Sequence, residues 1–363
     1  MRKIRETLKL LLPAAAIAVI VYLAANAFFM RVLPESTALA QTEESAQEEV
    51  WTEKEEERPE EETQEGYAFS MLGEEDALLY RELYEAVTGY VTDASLSVQD
   101  ADRIERVFAC VMADHPEIFY VDGYTLTTHA LGEDIQDVSF QAEYTFTRQQ
   151  AQERLLRVEE KADAVLSTLT EDMDDYEKLK TLYESIVTGT EYDLQAPENQ
   201  TICSVFLYGK SVCQGYAKAF QYLCQRAGIP AVLVTGTVED GSPHAWTAVC
   251  CSGDWYYADP AWGDVSYQTE EAGEDGAEES GTEAGERREQ VDYDFFLVTT
   301  EQISRTHTAD PVFPLPECVS LTDNYYVREG LYFIRADMEQ AAEAFATAAR
   351  EGRSSVTLKC ADE

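Results

Sequence analysis

The sequence predicts an α+β fold in which a helix-rich N-terminal region leads into an antiparallel sheet, preceded by a transmembrane or signal segment. Three patterns carry this expectation. Leu10 to Met30 is a run of 21 uncharged residues. From Glu74 to about Tyr90, apolar side chains recur at intervals of three and four, the period of a helix with one buried face, and further helices are expected near 100–115, 148–169 and 175–187. Between residues 230 and 258, short apolar or alternating stretches are separated by Gly, Pro and Asp turns, the pattern of consecutive strands. With 363 residues, 45% of them hydrophobic, the chain has material for about two domains.

Arg2, Lys3, Arg5 and Lys9 stand ahead of the apolar run, which as a helix would span roughly 30 Å, one bilayer core. The basic side stays in the cytoplasm, so everything beyond residue 33 is expected outside it. Pro34 breaks the helix, and Ala38-Leu39-Ala40 has the small-x-small pattern of a signal-peptidase site. The length of the run favours a retained membrane anchor over residues 1–40, and secretion after cleavage near Ala40 is the other outcome. Residues 41–66 follow as an acidic linker. Within them, 43–65 hold 12 acidic and 2 basic residues and too little apolar surface to offset chain entropy, so the linker is expected to be disordered.

Residues 67–170 read as helix-rich scaffold. Leu78, Leu79, Leu83, Tyr84 and Val87 line one face of a helix from Glu74 to about Tyr90. Ser97 or Asp100 caps a second, carrying Ile104, Val107, Phe108 and Val111 and ending before Pro116. Strands are predicted over Ile118–Thr128 and Val138–Phe146, then helices near Arg148–Leu169 and Asp175–Val187. His115 and His129 read as turn and surface residues rather than ligands.

The informative stretch is Tyr208 to Asp264. A helical pattern begins at or just before Cys213, with Ala217, Phe220, Leu223, Cys224 and Ala227 on one face and Gly228 as its stop. That places the Cys213 sulfur at the positive end of the helix dipole, where a thiolate is favoured. Pro230–Val238 reads as a strand, His244–Cys251 as a second, and Trp255–Ala258 as a third, with Asp259 at its end. A thiol needs a base and a positive environment to attack a carbonyl. Imidazole supplies the base, and a carboxylate holds the imidazole in one tautomer. The Cys213 N–H is a ready oxyanion donor, and the Gln214 amide is a candidate second. Tyr257 and Trp262 read as core or cleft wall.

Lys and Arg number 27 against 70 Asp and Glu, a formal net charge of −43. No basic patch offsets it, so nucleic acid is excluded as a partner. A second acidic run, 269–289, holds 9 acidic and 2 basic residues inside an insert over 269–290 and is also expected to be disordered. The eight cysteines form no pair of CxxC motifs, so neither a zinc site nor another metal or cofactor is expected, and most read as small buried hydrophobes.

Gly-Lys-Ser-Val-Cys-Gln-Gly-Tyr-Ala (209–217), Pro-His-Ala-Trp (243–246) and Trp-Tyr-Tyr-Ala-Asp-Pro-Ala-Trp-Gly-Asp (255–264) resemble the three core motifs of the transglutaminase-like superfamily, which shares a papain-like fold with cysteine proteases. The likeness spans roughly 175–310, with catalytic residues 31 and 15 positions apart, and is similar to exported bacterial members. It implies a catalytic domain over 171–316, with Cys213 as nucleophile, His244 as general base and acid, and Asp259 as orienter. Ser304-Arg305-Thr306-His307 shares the likeness and reads as structural. The implied activity is thiol-dependent acyl chemistry on peptide, protein or cell-wall amides. Hydrolysis stands slightly ahead of protein crosslinking, and a non-catalytic cell-surface binding module is the third reading. Residues 317–363 read as a small α/β appendage: a strand over Tyr325–Ile334, a helix over Asp337–Arg350 and a strand over Ser354–Cys360.

An acidic insert beside a cleft attracts cations through a screened field. Turnover of a cationic peptide is therefore expected to fall as salt is raised, and salt-independent turnover in a steady-state assay would contradict this.

Overall fold

The computed structural model describes residues 66–131, 134–265, 291–335, 338–350, 352 and 356–361. The apolar run Leu10–Met30, the acidic linker and the acidic insert lie outside the described residues. No helix among the described residues is long and apolar enough to cross a membrane.

The chain opens with a helical turn, α1 (Tyr67–Ser70), and α2 (Glu74–Thr88). After β1 (Ala94–Ser95), Asp100 caps α3 (Ala101–Asp114) by accepting the Arg103 N–H. Asp114, at the far end of α3, is buried, and its carboxylate accepts the N–H groups of Ala68 and Phe69 at 2.9 and 2.8 Å and the Tyr80 hydroxyl at 3.0 Å. That one side chain ties α1 and α2 to α3. A hairpin follows, β2 (Val121–Leu131) and β3 (Asp134–Tyr144), with β1 on the far side of β3. Thr147 and Asp174 each form a capping box at the start of α4 (Arg148–Leu166) and α5 (Asp175–Gly189).

The two-residue strands β4 (Glu191–Tyr192) and β5 (Lys210–Ser211) pair in parallel ahead of α6 (Cys213–Arg226). Gly228, at φ +77°, turns the chain out of the helix. Then β6 (Ala231–Val238), β7 (Pro243–Cys251) and β8 (Asp254–Ala258) form an antiparallel meander. After α7 (Thr300–Ile303), the chain returns as β9 (His307–Ala309) and joins β6 on its open side, giving the order β8-β7-β6-β9. Strand β7 is buried on both faces rather than one, because residues of both parities, Ala245 and Trp246 among them, are covered.

The apolar core has two parts. Ala217 of α6 with Val232, Val234, Trp246 and Tyr257 of the sheet pack with residues of α2, α3 and β3. On the other side, α4, α5 and much of α6 pack with Val249, Tyr256, Phe296, Tyr325 and Tyr326. The N-terminal helices thus share a core with the sheet, and Gln221 of α6 donates to the Ala113 carbonyl at 2.7 Å.

The tail departs from its sequence pattern. Residues 325–334, which read as a strand, form a helical turn, α8 (Tyr325–Arg328), and then only β10 (Tyr332–Phe333). The Asn324 side chain caps the turn by accepting the Tyr326 N–H at 3.2 Å, and Gly330 at φ +69° reverses the chain. A local cap and a left-handed glycine outweigh the β preference of Tyr-Tyr-Val. Helix α9 spans Met338–Arg350, and the last strand shrinks to β11 (Lys359–Cys360), parallel to β10.

Gly236 lets β9 join the sheet. A Cβ there would stand 2.1 Å from the Thr308 carbonyl oxygen. Because that neighbour is backbone, the strand itself would have to move. Gly236→Ala is expected to cost about 1–3 kcal/mol by overpacking, read as a lower urea midpoint, and an unchanged midpoint would show that β9 yields freely.

Candidate active site

Helix α6 begins at Cys213 for local reasons. Its first turn closes on Val212, whose carbonyl accepts Gly215 N–H at 2.9 Å and Tyr216 N–H at 3.1 Å. As the first residue of the helix, Cys213 has an N–H that no carbonyl within the helix can accept. The preceding turn is packed tightly. Ser211 Oγ donates to the Asn199 carbonyl at 2.8 Å and lies 2.5 Å from Ser204 Oγ. A Cβ on Gly215 would sit 1.9 Å from Ser211 Oγ, so glycine is required for this turn to seat against β5. Cys213 itself is half-buried, in contrast to Cys110, Cys203, Cys224, Cys251 and Cys318, which are buried. All eight cysteines are free thiols.

His244 enters from β7, paired across to Gly236, and is 5% exposed. Thr247 on the same strand donates to the Ala217 carbonyl at 3.1 Å, which holds β7 against α6. His244 Nε2 lies 2.7 Å from Oδ2 of Asp259, and Cys213 acts electrostatically on the same ring. With Nε2 given to the carboxylate, Nδ1 is the nitrogen left for proton transfer.

Asp259 is fully buried. Its Oδ1 accepts the N–H groups of Ala261 at 3.0 Å and Trp262 at 3.3 Å, from the turn that follows β8. Its own N–H donates to the Phe295 carbonyl at 2.9 Å, and its carbonyl accepts the Tyr183 hydroxyl at 3.0 Å. Burial alone would push the carboxyl up, but His244, with help from His307, outweighs it and holds the carboxyl well below the ordinary carboxylate range. Burial likewise works against charge on His244. The Asp259 carboxylate and then Cys213 overcome it and raise the imidazole from an ordinary 6.5 to about 10.

The three sequence-predicted residues are therefore brought together: sulfur at a helix start, ring on the adjoining strand, carboxylate behind the ring. His115 and His129 are not in this site. His115 is buried at the end of α3, with Nδ1 2.8 Å from Glu117, and His129 lies on β2. Gln214 follows Cys213 in the helix and is half-buried. Tyr257 is buried with its hydroxyl on the Pro316 carbonyl, and Trp262 covers His244 at a ring distance of 5.8 Å.

One residue that reads as structural in the sequence stands inside the site. His307 of β9 is buried, and its Nε2 lies 3.2 Å from the same Asp259 Oδ2. The Ser-Arg-Thr-His string was its only signal, and its distance of 48 residues from Asp259 in the chain hid the contact. Among the described residues, His244, Asp259 and His307 are the cluster able to ligate a metal, with donor atoms within 4.8 Å of one another. An ion bonded at about 2.0–2.2 Å to each would have to replace both shared protons and draw the rings inward. The contacts present are hydrogen bonds.

Residues 163–260 match the model of the transglutaminase-like superfamily core, a stretch that contains Cys213, His244 and Asp259. Residues 163–260 are a transglutaminase-like domain. The mixed helix and sheet content of the transglutaminase-like domain and its surroundings fits the papain-like fold. The kyphoscoliosis peptidases of Mus musculus and Homo sapiens are similar, 29% and 28% identical over 117 residues. The match takes in 28% of this chain and spans 18% of the length of those relatives. Among solved structures, a putative cysteine protease from Cytophaga hutchinsonii is 13% identical with a TM-score of 0.26, over 39% of this chain and 66% of its own. The periplasmic domain of TgpA from Pseudomonas aeruginosa bound to ethylmercury is 15% identical with a TM-score of 0.25, over 40% and 68% respectively.

The raised imidazole of the transglutaminase-like domain makes stability pH-dependent with a definite sign. A group raised from 6.5 to about 10 stabilises the fold fully below pH 6.5 and loses that contribution as the pH climbs through 10. Asp259, held low, contributes above its ordinary value of 3.8 and loses its share on acidification. The difference in urea midpoint between the native protein and His244→Phe is expected to shrink from pH 6.5 to pH 10, and a constant difference would remove the ion pair from the account.

Proposed function

We propose that the protein is a thiol-dependent enzyme that cleaves amide bonds in peptides, proteins or cell-wall material outside the cytoplasm. Cys213 is the nucleophile, His244 the base and acid, and Asp259 the orienter. The observation that carries this reading is the 2.7 Å contact between His244 Nε2 and Asp259 Oδ2, made by a ring on which the half-buried thiol at a helix start also acts electrostatically. A buried ring held on one nitrogen presents the other at a constant angle.

The steps follow from that arrangement. The proton of the thiol lodges on His244 Nδ1, which its raised value favours at neutral pH. Sulfur attacks the amide carbonyl carbon, and the Cys213 N–H donates to the developing oxyanion. The C–N bond breaks as His244 passes its proton to the leaving nitrogen, leaving a thioester. Water, deprotonated by His244, then attacks the thioester, and Cys213 recovers its proton. Hydrolysis is placed ahead of transfer to an amine because the similar mouse and human proteins carry the name peptidase. The location rests on the apolar run behind four basic residues, which anchors the chain or is removed after Ala40.

A thiol-reactive probe that mimics an amide is expected to label Cys213 in the native protein and to fail in His244→Ala, by roughly 10²-fold or more in rate. Intact-mass spectrometry measures this. Equal labelling of both proteins would leave a binding module with an idle thiol. Incubation with a fluorescent primary amine and a glutamine-bearing protein separates the two reactions: ammonia release without incorporation supports hydrolysis, and incorporation assigns crosslinking instead.

A further inference from the structure

We propose that His307 is a positioning residue of this site: a second imidazole that shares the Asp259 carboxylate with His244 and limits how strongly that carboxylate holds the catalytic ring. The inference deepens the reading of Cys213, His244 and Asp259 given above and concerns a residue beyond the matched segment 163–260.

The contacts around Asp259 constrain where the ring protons lie. An ionised carboxylate only accepts, with about four lone-pair positions. Oδ1 of Asp259 takes two backbone N–H groups and Oδ2 takes two ring nitrogens, at 2.7 Å from His244 and 3.2 Å from His307. Both Nε2 atoms must therefore carry hydrogen. Thr306 Oγ1 stands 2.7 Å from Nδ1 and 3.5 Å from the Ile303 carbonyl oxygen, so a neutral ring protonated at Nε2 takes the hydroxyl proton over the shorter contact. The Thr-His pair thus sets the tautomer from one side and Asp259 from the other.

The ring cannot turn away. It is enclosed by Trp246, Trp262 and Phe295 at ring distances of 4.9, 4.6 and 5.4 Å. An apolar residue would fill that space without the cost of burying two polar nitrogens. What the imidazole adds is a donor on the very oxygen that binds His244. That donor withdraws charge from Oδ2 and weakens its pull on the His244 proton, which has to be released to the leaving group. Among the described residues, the titratable groups facing His244 are Asp259 at the end of β8, Cys213 on α6 and His307 on β9, and the Tyr183 hydroxyl of α5 donates to the Asp259 carbonyl.

The test is the ¹⁵N shift titration of the His244 ring in the full chain, which requires no turnover, together with the alkaline limb of probe labelling. In His307→Phe, the His244 midpoint and the alkaline limb are expected to rise by about half a pH unit or more. His307→Gln, whose side-chain amide restores a donor, is expected to return both toward native values. Thr306→Val, a near-isosteric change, removes the tautomer lock and is expected to shift them the same way by less. A folded His307→Phe with the native midpoint overturns the proposal, since a merely structural role would lower stability without moving it. If His307→Phe does not fold, an unshifted midpoint in Thr306→Val overturns it equally. Absence of labelling in the native protein would instead sink the enzyme reading and leave the titration to decide the role of His307.

Discussion

An ionised carboxylate with no solvent contact is the constraint on which the site rests. Taking Asp259 out of water costs several kcal/mol unless its lone pairs are filled. The donors it recruits come from three parts of the chain. The turn after β8 folds back so that Ala261 and Trp262 present their N–H groups. Strand β7 supplies His244, and β9, arriving from the far edge of the sheet, supplies His307. Two glycines make this packing feasible. Gly236 admits β9, and Gly263 admits the Tyr183 hydroxyl, which would stand 2.2 Å from a Cβ there.

The same constraint organises charge for chemistry. A low carboxylate behind a raised imidazole keeps a proton on the ring, and the thiol stands at a helix start, whose dipole favours an anion. Burial behind Trp262 and Trp246 keeps water from competing for these bonds, so each is stronger than it would be at the surface. The described residues on either side of the acidic insert meet beside this arrangement. Asp264 and Val291 form an isolated antiparallel bridge, and Asp292 N–H donates to the Gly263 carbonyl at 2.9 Å, so the stems of the insert are pinned on the turn that holds Asp259.

Much of this was legible because it is local. Apolar spacing located α2 through α5 within a few residues, since a helix buries one face whatever lies beyond it. Gly228 marked the end of α6, and the order thiol, imidazole, carboxylate could be read from three short motifs. Tyr325–Ile334 misled because two aromatics and a valine suit a strand, whereas the Asn324 cap and Gly330 act at single positions that composition hides. Alternation along β7 says nothing about a second layer, and the N-terminal helices supply that layer.

The sequence by itself determined the helix that starts at Cys213, the strands that carry His244 and Asp259, and the residue types able to do acyl chemistry, because each follows from local spacing, caps and turns. Only the tertiary structure decided which nitrogen of His244 meets Asp259 and that His307 shares the same oxygen. Hydrogen bonds within 3.2 Å depend on how β9 closes against β6, a contact across 48 residues of chain that rests on the missing Cβ of Gly236. No periodicity encodes a contact of that kind, because it is selected by the free energy of burying a charge and not by any local preference of the backbone.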